Sequence, residues 1–262
     1  MDRPPGAWVP QVATARALAG VASLCMAVAE VRPLRRLGLP DVLRLPYALP
    51  DFAVTPGVAA TALGVWVACG VCFALGWHAR AAGVGLALVM SGVLLLDEQT
   101  YSNHLYLAVL VVVLLVWADA TARRNPAVPV LLLRTQVSLV YGWTAVAKLN
   151  ATFLSGAAVF AALPWAVRTP LLARGLAAPV AMLLAVTTVV LELWIAVSLW
   201  RPGARRDACV AGVALHAGMV ALLAVGGRVA LTGFALLMFA GYVVFFDEVP
   251  AVRGRVGAPG RA

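Results

Sequence analysis

The chain has 262 residues, 63% of them hydrophobic and 12% charged, with a formal net charge of +9. A soluble domain carries about 25% charged residues, so this composition excludes an ordinary soluble fold. The arginines sit beside long apolar stretches, so the positive charge reads as membrane topology and no nucleic-acid partner is expected.

An α-helix needs about 20 apolar residues to cross a bilayer core. Such stretches run, in chain order, over Val12–Ala29, Val58–Leu75, Ala81–Leu96, Leu105–Ala118, Val128–Leu149, Val180–Trp200, Cys209–Val225 and Val229–Phe246. They lack the alternation of barrel strands, and helices satisfy their own backbone in lipid. The expected fold is therefore all-α, a polytopic integral membrane bundle of about eight transmembrane helices. It forms one domain over residues 1–262, closed by a short polar, disordered tail, "DEVPAVRGRVGAPGRA", at 247–262.

The first segment ends in "AVAEV", which can also be read as a signal peptide with a small-residue cleavage site. Arg32, Arg35 and Arg36 follow at once and would have to be exported, so a retained span is the preferred reading. With eight spans, one side receives ten arginines: Arg3, Arg80, Arg123, Arg124, Arg201, Arg205, Arg206, Arg253, Arg255 and Arg261. The other receives seven: Arg32, Arg35, Arg36, Arg44, Arg168, Arg174 and Arg228. The excess places both termini in the cytoplasm of a multi-pass cell-membrane protein.

Two connections are long, "VRPLRRLGLPDVLRLPYALPDFAVTP" and "NATFLSGAAVFAALPWAVRTPLLARGLA". Both fall on the outer side and mix apolar residues with arginine and proline, the pattern of interfacial or re-entrant helices able to roof a cavity. Cys25, Cys69, Cys72 and Cys209 lie within spans and indicate no disulfide framework. "CGVC" puts two thiols on one helix face, where redox work and plain packing are both open, packing being the commoner use.

Lys148 is the single lysine, in "RTQVSLVYGWTAVAKLNATFLSG". Arg134, Tyr141 and Lys148 recur at intervals of seven, with Ser138, Thr144 and Ala145 on the same face, so a polar stripe runs down an apolar helix. At a span's end the lysine can snorkel to the interface. In a dry site it can instead serve as a base.

"DEQTYSNH" gathers Asp97, Glu98, Asn103 and His104 at the outer start of the fourth span. Ser102 or Asn103 capping the next helix is one reading, and a functional rim is the other, with the acids balancing Lys148 or Arg228. Glu192 in "VVLELWIAV" and His216 in "GVALHAGMV" lie inside spans, where helix-to-helix hydrogen bonding and function are both open.

The ordered set "DEQTYSNHLYLAVLVVVLLVWADA", "RTQVSLVYGWTAVAKLNATFLSG" and "LHAGMVALLAVGGRVALTGFALLMFAGYVVFF" resembles the HTTM (horizontally transferred transmembrane) family, and within it the membrane region of vitamin K-dependent γ-carboxylase. The resemblance implies that Lys148 is the base that deprotonates a reduced, vitamin K-like quinone and that His104 is its partner in catalysis. It implies that Asn103 and Tyr141 position the quinol. Glu192 and His216 join them as candidate cofactor-binding residues, and no metal is expected. Phe153 stands where the family often has Trp, Asn150 stands where the carboxylase has an acid, and the large lumenal portion that binds protein substrate has no counterpart after the last span.

The leading reading is thus an HTTM-class membrane enzyme, of the quinol oxidase/epoxidase or carboxylase-type lyase kind, acting on a quinol-like molecule from an outward-facing cavity. Its partners would be membrane lipid and that quinol. The alternative is a non-catalytic membrane component in the maturation or export of a secreted peptide. A transporter would need paired broken helices and internal symmetry, and neither is visible.

Overall fold

The computed structural model describes residues 9–39, 41–45, 54–122, 126–222 and 228–246. Their regular structure is wholly helical: α1 (Val9–Leu37), α2 (Pro56–Leu75), α3 (Ala79–Leu96), α4 (Asn103–Thr121), α5 (Ala127–Ala147), α6 (Ala151–Leu154), α7 (Ala157–Ala162), α8 (Trp165–Ala173), α9 (Ala177–Ser198), α10 (Arg205–Leu222) and α11 (Arg228–Val243), with one 3-10 turn at Glu98–Thr100.

Six of them, α1 to α5 and α9, are long and apolar enough to cross a membrane. Of the other two expected spans, α10 opens on Arg205, Arg206 and Asp207, and α11 has only 16 residues. Helix α1 is longer than expected at 29 residues. At 1.5 Å per residue it measures about 43 Å and overshoots a hydrocarbon core of about 30 Å, which leaves Arg32, Arg35 and Arg36 beyond the apolar stretch. The expected tail at 247–262 lies outside the described residues.

Helix α9 shows most clearly which solvent the surface meets. It buries Ala181, Ala185, Val189, Glu192, Ile195 and Ser198, while Leu183, Val190, Leu193, Trp194 and Val197 face outward. In water the charged residue would be outside and the leucines inside. The inversion fits a helix whose surroundings are lipid, and the chain is an integral membrane helix bundle.

Helices α1 to α4 pack in sequence, with α4 returning to α1, and α5, α9, α10 and α11 form a second run. Contacts of α1 with α11 and of α4 with α5 join the two. Small residues allow the close approaches: a side chain at Gly20 would strike Ala74, and one at Gly233 would meet Ala22, Cys25 and Met26. Large core side chains include Trp66, Phe73, Met90, Leu115, Tyr141 and Tyr242.

The expectation of short helices in the second long connection is met by α6, α7 and α8. Gly156, at φ 81°, joins α6 to α7 so close to α9 that a β-carbon there would collide with the Ala181 backbone. Cys69 and Cys72 are free thiols, half-buried and packed against the core beside α3.

Candidate functional site

Lys148 caps the C-terminus of α5, its N–H donating to the carbonyls of Thr144 and Ala145 at 3.1 Å each. The chain turns there because Asn150 serves both neighbouring helices. Its amide donates to Ala147 O at 2.9 Å, and its carbonyl accepts from Phe153 N at 2.9 Å to start α6. The turn fixes Lys148 between two groups. Its ammonium pairs with Glu192 Oε1 of α9, and the face of Phe153 lies 5.5 Å from Nζ. The Glu192 side chain is 6% exposed and that of Lys148 23%. Glu192 Oε2 is enclosed and has no hydrogen-bond partner.

Two turns back along α5, the Tyr141 hydroxyl is bonded to His216 Nε2 of α10 at 2.9 Å and to the Tyr242 hydroxyl of α11. Gly212 makes this possible, because a β-carbon there would run into both tyrosine oxygens. The His216 ring meets the edge of Phe234 at 5.1 Å between centroids, and Phe234 lies 4.5 Å from His104. His216 is within electrostatic reach of both Lys148 and His104, and Tyr141 within that of Glu192. Side chains from α4, α5, α9, α10 and α11 therefore converge around the last turns of α5.

A cavity of about 540 Å³ opens there, lined by Tyr101, Asn103, His104, Tyr106, Gln136, Trp143, Thr144 and Phe234 among others. Asn103 and His104 stand in its wall, in the first turn of α4. Ser102 caps that helix by accepting from His104 N at 3.3 Å. Lys148, Tyr141, Glu192 and His216 do not line the cavity. They stand behind its wall, and Thr144 and Phe234 separate them from it.

Among the described residues, neither acid of "DEQT" is paired with Lys148 or Arg228. Asp97 accepts from the backbone N–H groups of Leu45 at 2.7 Å and Gln99 at 2.9 Å, so it ties the first long connection to the rim and does not balance Lys148 or Arg228. Glu98 is exposed.

Phe234, Tyr242 and Gly212 were not marked by the sequence. A phenol hydroxyl inside an apolar span was a usable signal for Tyr242. Phe234 carried none, being one aromatic residue among many.

The cavity fits a reduced quinone. Its volume lies in the ordinary range for small-molecule sites. Tyr101, Tyr106, Trp143 and Phe234 offer ring faces, and Asn103, His104 and Gln136 offer hydrogen-bonding groups for ring oxygens.

No curated protein and no solved structure matches the chain. A family model does, the HTTM domain, over residues 52–248. The match spans well over half of the chain and takes in every residue of the convergence, and on it the protein belongs to the HTTM family.

Proposed function

We propose that this protein binds a quinol-like, lipid-soluble aromatic molecule in the cavity at the Lys148 end and serves as an acid–base catalyst upon it. The observation that carries the reading is a cavity with aromatic walls in a membrane helix bundle, backed by the single lysine of the chain already engaged with a buried carboxylate. A buried ion pair is a poor source of stability, and its presence in an apolar bundle argues for use. A bound quinol supplies an ionisable ring hydroxyl. The protein supplies ring faces that orient it, Asn103 and His104 as partners for its oxygens, and Lys148 with Glu192 as the pair that receives its proton.

The arginine distribution supports an orientation in which this end faces outward across the cell membrane and both termini are cytoplasmic.

The test uses purified protein in lipid nanodiscs titrated with a reduced naphthoquinone. Binding is followed by quenching of tryptophan fluorescence, which Trp143→Phe should diminish and His104→Ala should weaken. Oxygen uptake or epoxide formation that disappears in Lys148→Ala and survives in Arg253→Ala supports catalysis. Binding with no turnover ends the catalytic claim, and absence of binding ends the whole reading and favours a non-catalytic role in the maturation or export of a secreted peptide.

A further inference from the structure

The ion pair and the cavity do not touch each other directly, so a bound hydroxyl needs a route between them. Thr144 is in the cavity wall, and its hydroxyl also lies beside the Glu192 carboxylate. At rest that hydroxyl donates to Val140 O at 2.7 Å, back along its own helix. A hydroxyl hydrogen rotates freely about its C–O bond, and the oxygen keeps its lone pairs for an incoming donor. On the far side, Glu192 Oε2 is enclosed, is unpartnered and belongs to a side chain more than nine-tenths buried. A buried acceptor left without a donor is costly, and the Thr144 hydroxyl beside the carboxylate is a donor that can be turned to it. Lys148 is already a donor to Oε1, so its amine has no free lone pair to offer while the pair is closed.

Resting on the proposed function above, we infer that Thr144 is the residue that transmits a ligand hydroxyl proton to Glu192, with Lys148 as the fixed positive charge. Thr144 Oγ accepts the proton from the ligand hydroxyl as its own hydrogen passes to the Glu192 carboxylate. The ligand O–H bond and the original Thr144 O–H bond break, and a new Thr144 O–H bond and a Glu192 O–H bond form. Thr144 ends neutral, Glu192 ends as a carboxylic acid, and Lys148 remains an ammonium behind the cavity wall, its charge offsetting that left on the ligand oxygen. The total charge is unchanged and no oxidant is required.

The probe is 4-nitro-1-naphthol, added to the protein in nanodiscs at a pH where the free probe is un-ionised, because its ionised form absorbs in the visible. Infrared difference spectra report any newly protonated carboxyl group. In the unaltered protein, binding should raise both the visible band and a protonated-carboxyl band, the latter missing in Glu192→Gln. Thr144→Val, which keeps shape and loses the hydroxyl, should still bind the probe, at most about tenfold more weakly for the lost hydrogen bond, and at saturating probe should show neither band. Thr144→Ser should restore both, a rescue that a packing role would not produce. Both bands persisting in Thr144→Val, or a bound probe that stays un-ionised in the unaltered protein, overturns the inference and leaves the binding site standing. Failure of the unaltered protein to bind the probe removes the proposed function and this inference together.

Discussion

Arg134 reaches from α5 to the carbonyl of Val244, just past the end of α11, with Nε at 2.8 Å and Nη2 at 2.6 Å. Its guanidinium also lies 5.3 Å from the Phe245 ring, and Arg205 adds a bond to Phe245 O at 3.4 Å. Two cations thus satisfy carbonyls that the end of a helix leaves open, at the pole where its dipole is negative. Arg134→Met should lower unfolding stability in detergent by about 2 kcal/mol, the scale of a hydrogen bond to a charged group. Arg134→Lys should recover only part, because an ammonium lacks the two-pronged geometry. An unchanged melting temperature in Arg134→Met would show that the clasp is ornamental.

Gly212 and Tyr242 make a coupled pair. A β-carbon on Gly212 would overlap the Tyr242 hydroxyl and sit 2.9 Å from that of Tyr141. Gly212→Ala should cost about 1–3 kcal/mol, the usual cost of overpacking. Combined with Tyr242→Phe, which vacates the same space, the double variant should be more stable than the sum of the two losses. Additive losses in thermal unfolding would mean that the helices shift apart instead.

Much of this architecture can be read from the chain, and the limits are physical. Apolar length alone locates the spans, because lipid demands it, and a charge inside one, such as Glu192, announces itself by its cost. The mixed arginine and proline of the second connection foretells the short helices α6 to α8. What the order of residues does not carry is which buried groups meet. Glu192 is 44 positions from Lys148 and Tyr242 is 101 from Tyr141, and no helical periodicity spans two separate helices. The division between cavity wall and buried pair is likewise invisible, since Tyr141, Thr144 and Lys148 lie on one stripe of α5 and only the packing of α9 and α11 decides which of them meets the ligand space.

Asp97 holds the rim together through backbone. It is 2% exposed and accepts from both Leu45 N and Gln99 N, while Gln99 Nε2 donates to Leu43 O at 2.8 Å. Asp97→Ala should release segment 41–45 and raise amide hydrogen exchange at Leu45 by at least about tenfold, from loss of a bond of about 1.5 kcal/mol. Unaltered exchange at Leu45 would assign the anchoring to Arg44, which donates to Leu37 O at 2.8 Å and Val54 O at 3.2 Å.

The two halves of the central ion pair are not equally costly to remove. Lys148→Ala strands a carboxylate that is 6% exposed and already has one enclosed oxygen without a donor. Glu192→Ala strands an ammonium that is 23% exposed, on a four-carbon stem able to lift toward the interface. An uncompensated buried charge costs about 3–5 kcal/mol, so Lys148→Ala should approach that range. Glu192→Ala should cost roughly a third as much, because its orphan can find water. Replacing both at once, Lys148→Met with Glu192→Leu, removes charge and desolvation together and should bring stability back close to the starting value. Unfolding midpoints of the three variants in one detergent measure the asymmetry directly. Equal losses for the two single variants would mean that Lys148 is held as tightly as Glu192, with Phe153 at 5.5 Å sealing it from the interface.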